Sequence, residues 1–149
     1  MIEEKPILDQ VNLVVSDMEA TLAFYRRLGL DIPDDAVWRS ESGAHHVTVT
    51  MPNGVDLEFD SVELAKRYNA GWRAPGAGGS RGVLGFKLPS RDDVDVRYAQ
   101  LTGTGYAGRQ PPYDTFWGAR YAIVEDPDGN EVGLMSPSDP VRRSAPPAI

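Results

Sequence analysis

The chain has 149 residues, 41% hydrophobic and 25% charged, enough apolar content for one packed domain or two small modules and too much for wholesale disorder. It contains no cysteine, which excludes disulfide scaffolds, cysteine-ligated zinc or iron–sulfur sites, and thiol nucleophiles. Its 22 acidic residues outnumber the 15 basic ones, for a net charge of -7; such a surface repels phosphate backbones, so nucleic acid is not an expected partner.

In chain order, Met1 to Pro6 is polar and acidic rather than a secretory leader. No apolar run approaches the roughly 20 residues of a membrane span. Together these point to a cytoplasmic protein with no membrane partner. An apolar-rich strand covers Leu8 to Val15, and Ser16-Asp17-Met18-Glu19 reads as a capping box opening a helix. On a 3.6-residue wheel Met18, Thr21, Leu22, Phe24, Tyr25 and Leu28 share one side; Glu19, Ala23, Arg26 and Arg27 take the other. Gly29 is placed to end the helix. Strands follow over Val37 to Ser40 and around His45 to Thr50. The turn Pro52-Asn53-Gly54 then leads into Val55 to Phe59.

The same order returns further on. Val83 to Leu88 is a strand, Ser90-Arg91-Asp92-Asp93 a cap, and Val94, Tyr98 and Leu101 an apolar stripe that Gly103 stops. Pro127-Asp128-Gly129 leads into Asn130 to Leu134. Gly29 and Gly103 lie 74 residues apart, Pro52 and Pro127 75 apart, so the chain is an internal repeat of strand, helix and three strands. The predicted layout is an N-terminal arm (1–5), a first βαβββ module (6–70), a glycine-rich connector (71–82), a second βαβββ module (83–137) and a mobile tail (138–149). A helix covers only one face of a four-stranded sheet, so two related modules can curl into a shared concave trough, where small molecules bind.

Leu8-Asp9-Gln10-Val11-Asn12-Leu13-Val14-Val15-Ser16-Asp17, Phe24-Tyr25, Leu28-Gly29-Leu30, Trp117-Gly118-Ala119-Arg120 and Asp126-Pro127-Asp128-Gly129-Asn130-Glu131-Val132 resemble the vicinal oxygen chelate superfamily of glyoxalases, bleomycin resistance proteins and extradiol dioxygenases. The likeness covers residues 6 to 137. It implies an α+β fold, two tandem βαβββ modules forming one cupped mixed sheet, and a homodimer. It also implies that a catalytic member holds a divalent metal through side chains on the first and last strand of each module. At those positions this chain has Gln10 and Glu58 in the first module, but Val83 (or Leu84) and Gly133 in the second. Two of four donors are missing.

The expectation is therefore a protein with no metal and no cofactor, binding a small organic molecule in a sequestration, resistance or ligand-binding role. Gln10, Asn12, Trp38, His46, Glu58, Tyr113, Trp117 and Arg120 are its candidate contacts. If Val47, Val49, Leu57 and Phe59 pack under the helix, alternation turns His46 and Glu58 to the other face. The aromatic residues suit planar ligands, and Arg120 suits a ligand carboxylate unless it pairs with Glu125 or Asp126. Trp72 reads as loop packing. The alternative is an enzyme: a divalent-metal lyase, isomerase or dioxygenase with the reduced set Gln10, His46 and Glu58, or a metal-free isomerase with Glu58 as its catalytic base. No P-loop, dinucleotide fingerprint or nucleophile elbow is present.

Overall fold

The computed structural model describes residues 5–76 and 81–148; Met1–Glu4 of the arm and residues 77–80 of the connector lie outside the described residues. The chain divides into two compact units, Met1–Gly76 and Ala77–Ile149.

The first unit runs β1 (Gln10–Val15), α1 (Met18–Leu28), β2 (Trp38–Arg39), β3 (His45–Thr50), β4 (Asp56–Ser61) and α2 (Val62–Tyr68). The second runs β5 (Val83–Lys87), α3 (Arg91–Gly103), β6 (Gly108–Asp114), β7 (Arg120–Glu125) and β8 (Glu131–Met135). Each unit holds one mixed four-stranded sheet, ordered β1-β4-β3-β2 in the first and β5-β8-β7-β6 in the second. The leading strand of each pairs in parallel with the last, and the remaining pairs are antiparallel. The repeat extends to register, since Val47 faces Phe59 as Ala122 faces Leu134.

In the first unit the predicted side of α1 is buried, with Leu22, Phe24 and Tyr25 fully covered. Tyr25 stacks on Phe59 of β4 at 4.7 Å, above Val47. Each such side chain contributes about 1.5–3 kcal/mol by leaving water, so this cluster anchors the sheet. In the second unit Val94 and Leu101 of α3 cover Ala122, Val124, Val132 and Leu134.

Several local expectations need correction. Leu8 lies outside β1 and is 75% exposed, because β4 has no residues left to pair with it. The α1 cap is Asp17, whose carboxylate accepts from the Ala20 N–H at 3.0 Å, not Ser16. Gly103 remains helical, and the left-handed turn falls at Gly105 (φ 108°). Trp117 lies in the turn before β7. The helix α2 is unforeseen; Ser61 caps it by accepting from the Leu64 N–H. The first half of the tail is tied down: the Asp139 N–H donates to Gly118 O and the Ser144 N–H to Phe116 O. Among the described residues no helix is long and apolar enough to cross a membrane.

Candidate functional site

In each sheet the face turned away from α1 or α3 carries the repeat's chemistry. In the first unit, register lines up three rows across β1, β4 and β3: Gln10–Asp56–Thr50, Asn12–Glu58–Thr48 and Val14–Asp60–His46. Trp38 on β2 extends the third row beside His46. Leu57 and Phe59 are buried on the α1 side, so Glu58 and Asp60 stand on the opposite face.

Asp60 organises this face. Its side chain is 3% exposed and receives three hydrogen bonds. Asn12 Nδ2 donates at 2.7 Å, the Tyr68 hydroxyl at 3.0 Å, and the His46 ring through Nδ1. Three donors compensate a buried carboxylate for lost hydration. Burial first, then the hydrogen bond and charge of Asp60 and the charge of Glu58, push the Tyr68 phenol up to about 12. Although 56% of Tyr68 is exposed, its hydroxyl end is committed to Asp60.

With Nδ1 fixed, His46 presents Nε2 at 3.0 Å from Thr48 Oγ1 and 3.6 Å from Glu58 Oε1. The Thr48 hydroxyl donates to Glu58 Oε1 at 3.1 Å. One hydroxyl has one proton, so Thr48 serves either Glu58 or His46 as donor, and the chain Asp60–His46–Thr48–Glu58 is coupled. Its free end is Glu58 Oε2, which is buried and has no hydrogen-bond partner.

Gln10 does not join this group. Its row lies four residues along β4 from the Asp60 row, about 13 Å at the usual strand rise. The predicted trio Gln10, His46 and Glu58 therefore does not converge on one ion. Asp60 spends its oxygens on Asn12, Tyr68 and His46, and among the described residues no three His, Cys, Asp or Glu are placed to hold a metal. Among the described residues, then, this face assembles no donor set for a divalent centre.

The second unit carries different chemistry at the same positions. Gly85 pairs with Gly133 where Asn12 pairs with Glu58. Tyr121 replaces His46, Met135 replaces Asp60 and Tyr113 replaces Trp38. The Tyr121 ring occupies the space above Gly133, where a Cβ would meet its hydroxyl at 2.9 Å; any carboxylate there would have to displace it. Burial, then the charges of Tyr113 and Glu131, raise the Tyr121 phenol. Trp117 crosses Tyr121 edge-on at 5.8 Å, meets Phe116 at 5.1 Å and donates through Nε1 to Met135 Sδ at 3.4 Å. Tyr113 and Phe116 are each 39% exposed.

Arg120 points elsewhere. It donates through Nε to Asp95 of α3 at 2.9 Å and through Nη1 to Asp114 at 3.3 Å, so it stands on the helix side; the Asp95 hydrogen bond leads the rise in its pKa. Neither acid proposed for it is available. Glu125 pairs with Arg109, and Asp126 accepts from Asp128 N, Asn130 N and Asn130 Nδ2 within its own turn. The sequence reading thus placed Asn12, His46 and Glu58 correctly on one face but missed Asp60, Thr48 and Tyr68. The alternation of Thr48 with Val47 was visible; Asp60 and Tyr68 required the extra length of β4 and the helix α2.

No curated protein matches the chain. Its fold resembles a glyoxalase/bleomycin resistance protein/dioxygenase from Nocardioides (22% identity, 99% of this chain and 92% of that one, TM-score 0.69). It also resembles a family enzyme from Burkholderia phytofirmans PsJN (20% identity, 87% and 97%, TM-score 0.71) and a glyoxalase-related enzyme from Fulvimarina pelagi (20% identity, 91% and 89%, TM-score 0.67). A family model matches residues 7–134. The chain therefore belongs to the Glyoxalase/Bleomycin resistance protein/Dioxygenase superfamily.

Proposed function

We propose that this protein binds a small organic molecule without a metal ion, and that the ligand donates a hydrogen bond to Glu58. The observation that carries the reading is the buried, unpartnered Oε2 of Glu58. Leaving such an acceptor unsatisfied costs about 1–3 kcal/mol, a cost that a ligand N–H or O–H relieves. Val83 and Gly133, which stand where a second pair of metal donors is expected, supply none.

The test is a thermal-shift screen of small organic compounds with and without EDTA, followed by calorimetry on Glu58→Gln. Stabilising compounds should keep their effect in EDTA and lose about tenfold or more in affinity on the variant. A dependence on added zinc, nickel, manganese or iron, or hits indifferent to Glu58→Gln, would overturn the reading.

One observation favours a second reading, a metal-free isomerase with Glu58 as base. Thr48 links Glu58 to a histidine already oriented by a buried aspartate, an arrangement able to take up and redistribute a proton. Here a bound ligand would exchange a carbon-bound proton with deuterated solvent. Glu58→Gln would abolish the exchange while the ligand still bound.

A further inference from the structure

A cavity of about 500 Å3 lies in the first unit between the β2–β3 hairpin and α2. Trp38 of the hairpin side and Glu63, Lys66 and Arg67 of α2 line it; Glu58 and His46 do not. Its volume falls within the usual range for small-molecule sites, about 300–1,000 Å3.

Two features of its wall call for a ligand. Trp38 is 52% exposed, although an indole in a pocket wall ordinarily finds cover. Lys66 and Arg67 stand together in the last turn of α2. Neither has a carboxylate partner among the described residues; the Lys66 ammonium instead lies 5.8 Å over the ring of Trp72. The pair matters because both cations border one cavity beside an exposed indole. The one acid of the lining, Glu63, lies in the first turn of α2, so the wall has two positive charges against one negative.

We propose that this cavity binds a planar aromatic monocarboxylate, its ring stacked on Trp38 and its carboxylate held by Lys66 and Arg67. Stacking and charge pairing act on different parts of the same molecule, so both are needed. Glu63, one turn before Arg67 on α2, disfavours a second acidic group on the ligand. The site is separate from Glu58 and does not depend on the reading given above.

The test uses naphthoate as probe, with naphthylmethanol as its uncharged counterpart, and follows the indole N–H resonance of Trp38 together with calorimetry. One naphthoate should bind per chain, shifting Trp38, with the alcohol about tenfold weaker or more. Trp38→Ala and the double variant Lys66→Gln/Arg67→Gln should each weaken binding at least about tenfold, and the double variant should remove its salt dependence. All three positions are exposed, and unchanged circular dichroism would establish that the variants fold. Equal affinity for acid and alcohol, indifference to these substitutions, absence of saturable binding, or loss of binding on Glu58→Gln would each overturn the proposal.

Discussion

The two sheets share strand order and register yet present opposite chemistry on the faces turned away from α1 and α3. Where the first unit has Asn12, Glu58, His46 and Asp60, the second has Gly85, Gly133, Tyr121 and Met135. The buried faces are alike, aliphatic and aromatic under one helix each. The scaffold thus depends on one face and accepts different chemistry on the other. In the first unit three donors satisfy Asp60; in the second an aromatic ring fills the space left by glycine.

Making the second face resemble the first should cost most. Gly133→Glu must displace Tyr121 and place an unpaired carboxylate among apolar groups, a loss of about 4 kcal/mol in denaturant unfolding. Adding Tyr121→Ala should recover part of it, and strict additivity would disprove the steric coupling. Stripping the first face comes next. Asp60→Ala leaves Asn12, Tyr68 and His46 without their acceptor and should cost about 3 kcal/mol, whereas Met135→Ala at the equivalent site should cost less.

Tyr68→Phe removes one of the three donors, worth about 1 kcal/mol near neutrality. The phenol holds its proton more tightly in the folded chain, about 12 against 10.0. Its contribution is therefore complete below pH 10 and disappears as pH rises towards 12. Alkaline unfolding of the wild type should be steeper over that interval than that of the variant, and parallel curves would refute the link. Glu58→Gln should change stability least, by under about 0.5 kcal/mol, because Oε2 has no partner to lose. A larger loss would mean that Glu58 supports the fold rather than a ligand.

Much of the scaffold was readable in the chain itself. The α1 stripe, the Gly54 and Gly129 turns and the alternation of Val47 and Val49 with His46 and Thr48 are local patterns, and local patterns report local periodicity. The same alternation turned His46 and Glu58 to one face. Asp60 escaped because β4 was expected to stop at Phe59, and Tyr68 because Ser61 was not recognised as a helix cap. Arg120 was expected to meet a ligand carboxylate or else its neighbours Glu125 or Asp126, whereas its partners Asp95 and Asp114 are brought to it by α3 and β6.

The amino-acid sequence by itself determined the duplicated order of elements and the faces that are buried, since both follow from residue type and spacing along one strand or helix. Only the tertiary structure decided which polar groups meet. Parallel pairing of β1 with β4 brings Asn12 to Asp60, 48 residues away, and the same register holds Gln10 about 13 Å from the His46 row. Contacts across strands depend on register, and register is a property of the folded sheet rather than of any single segment.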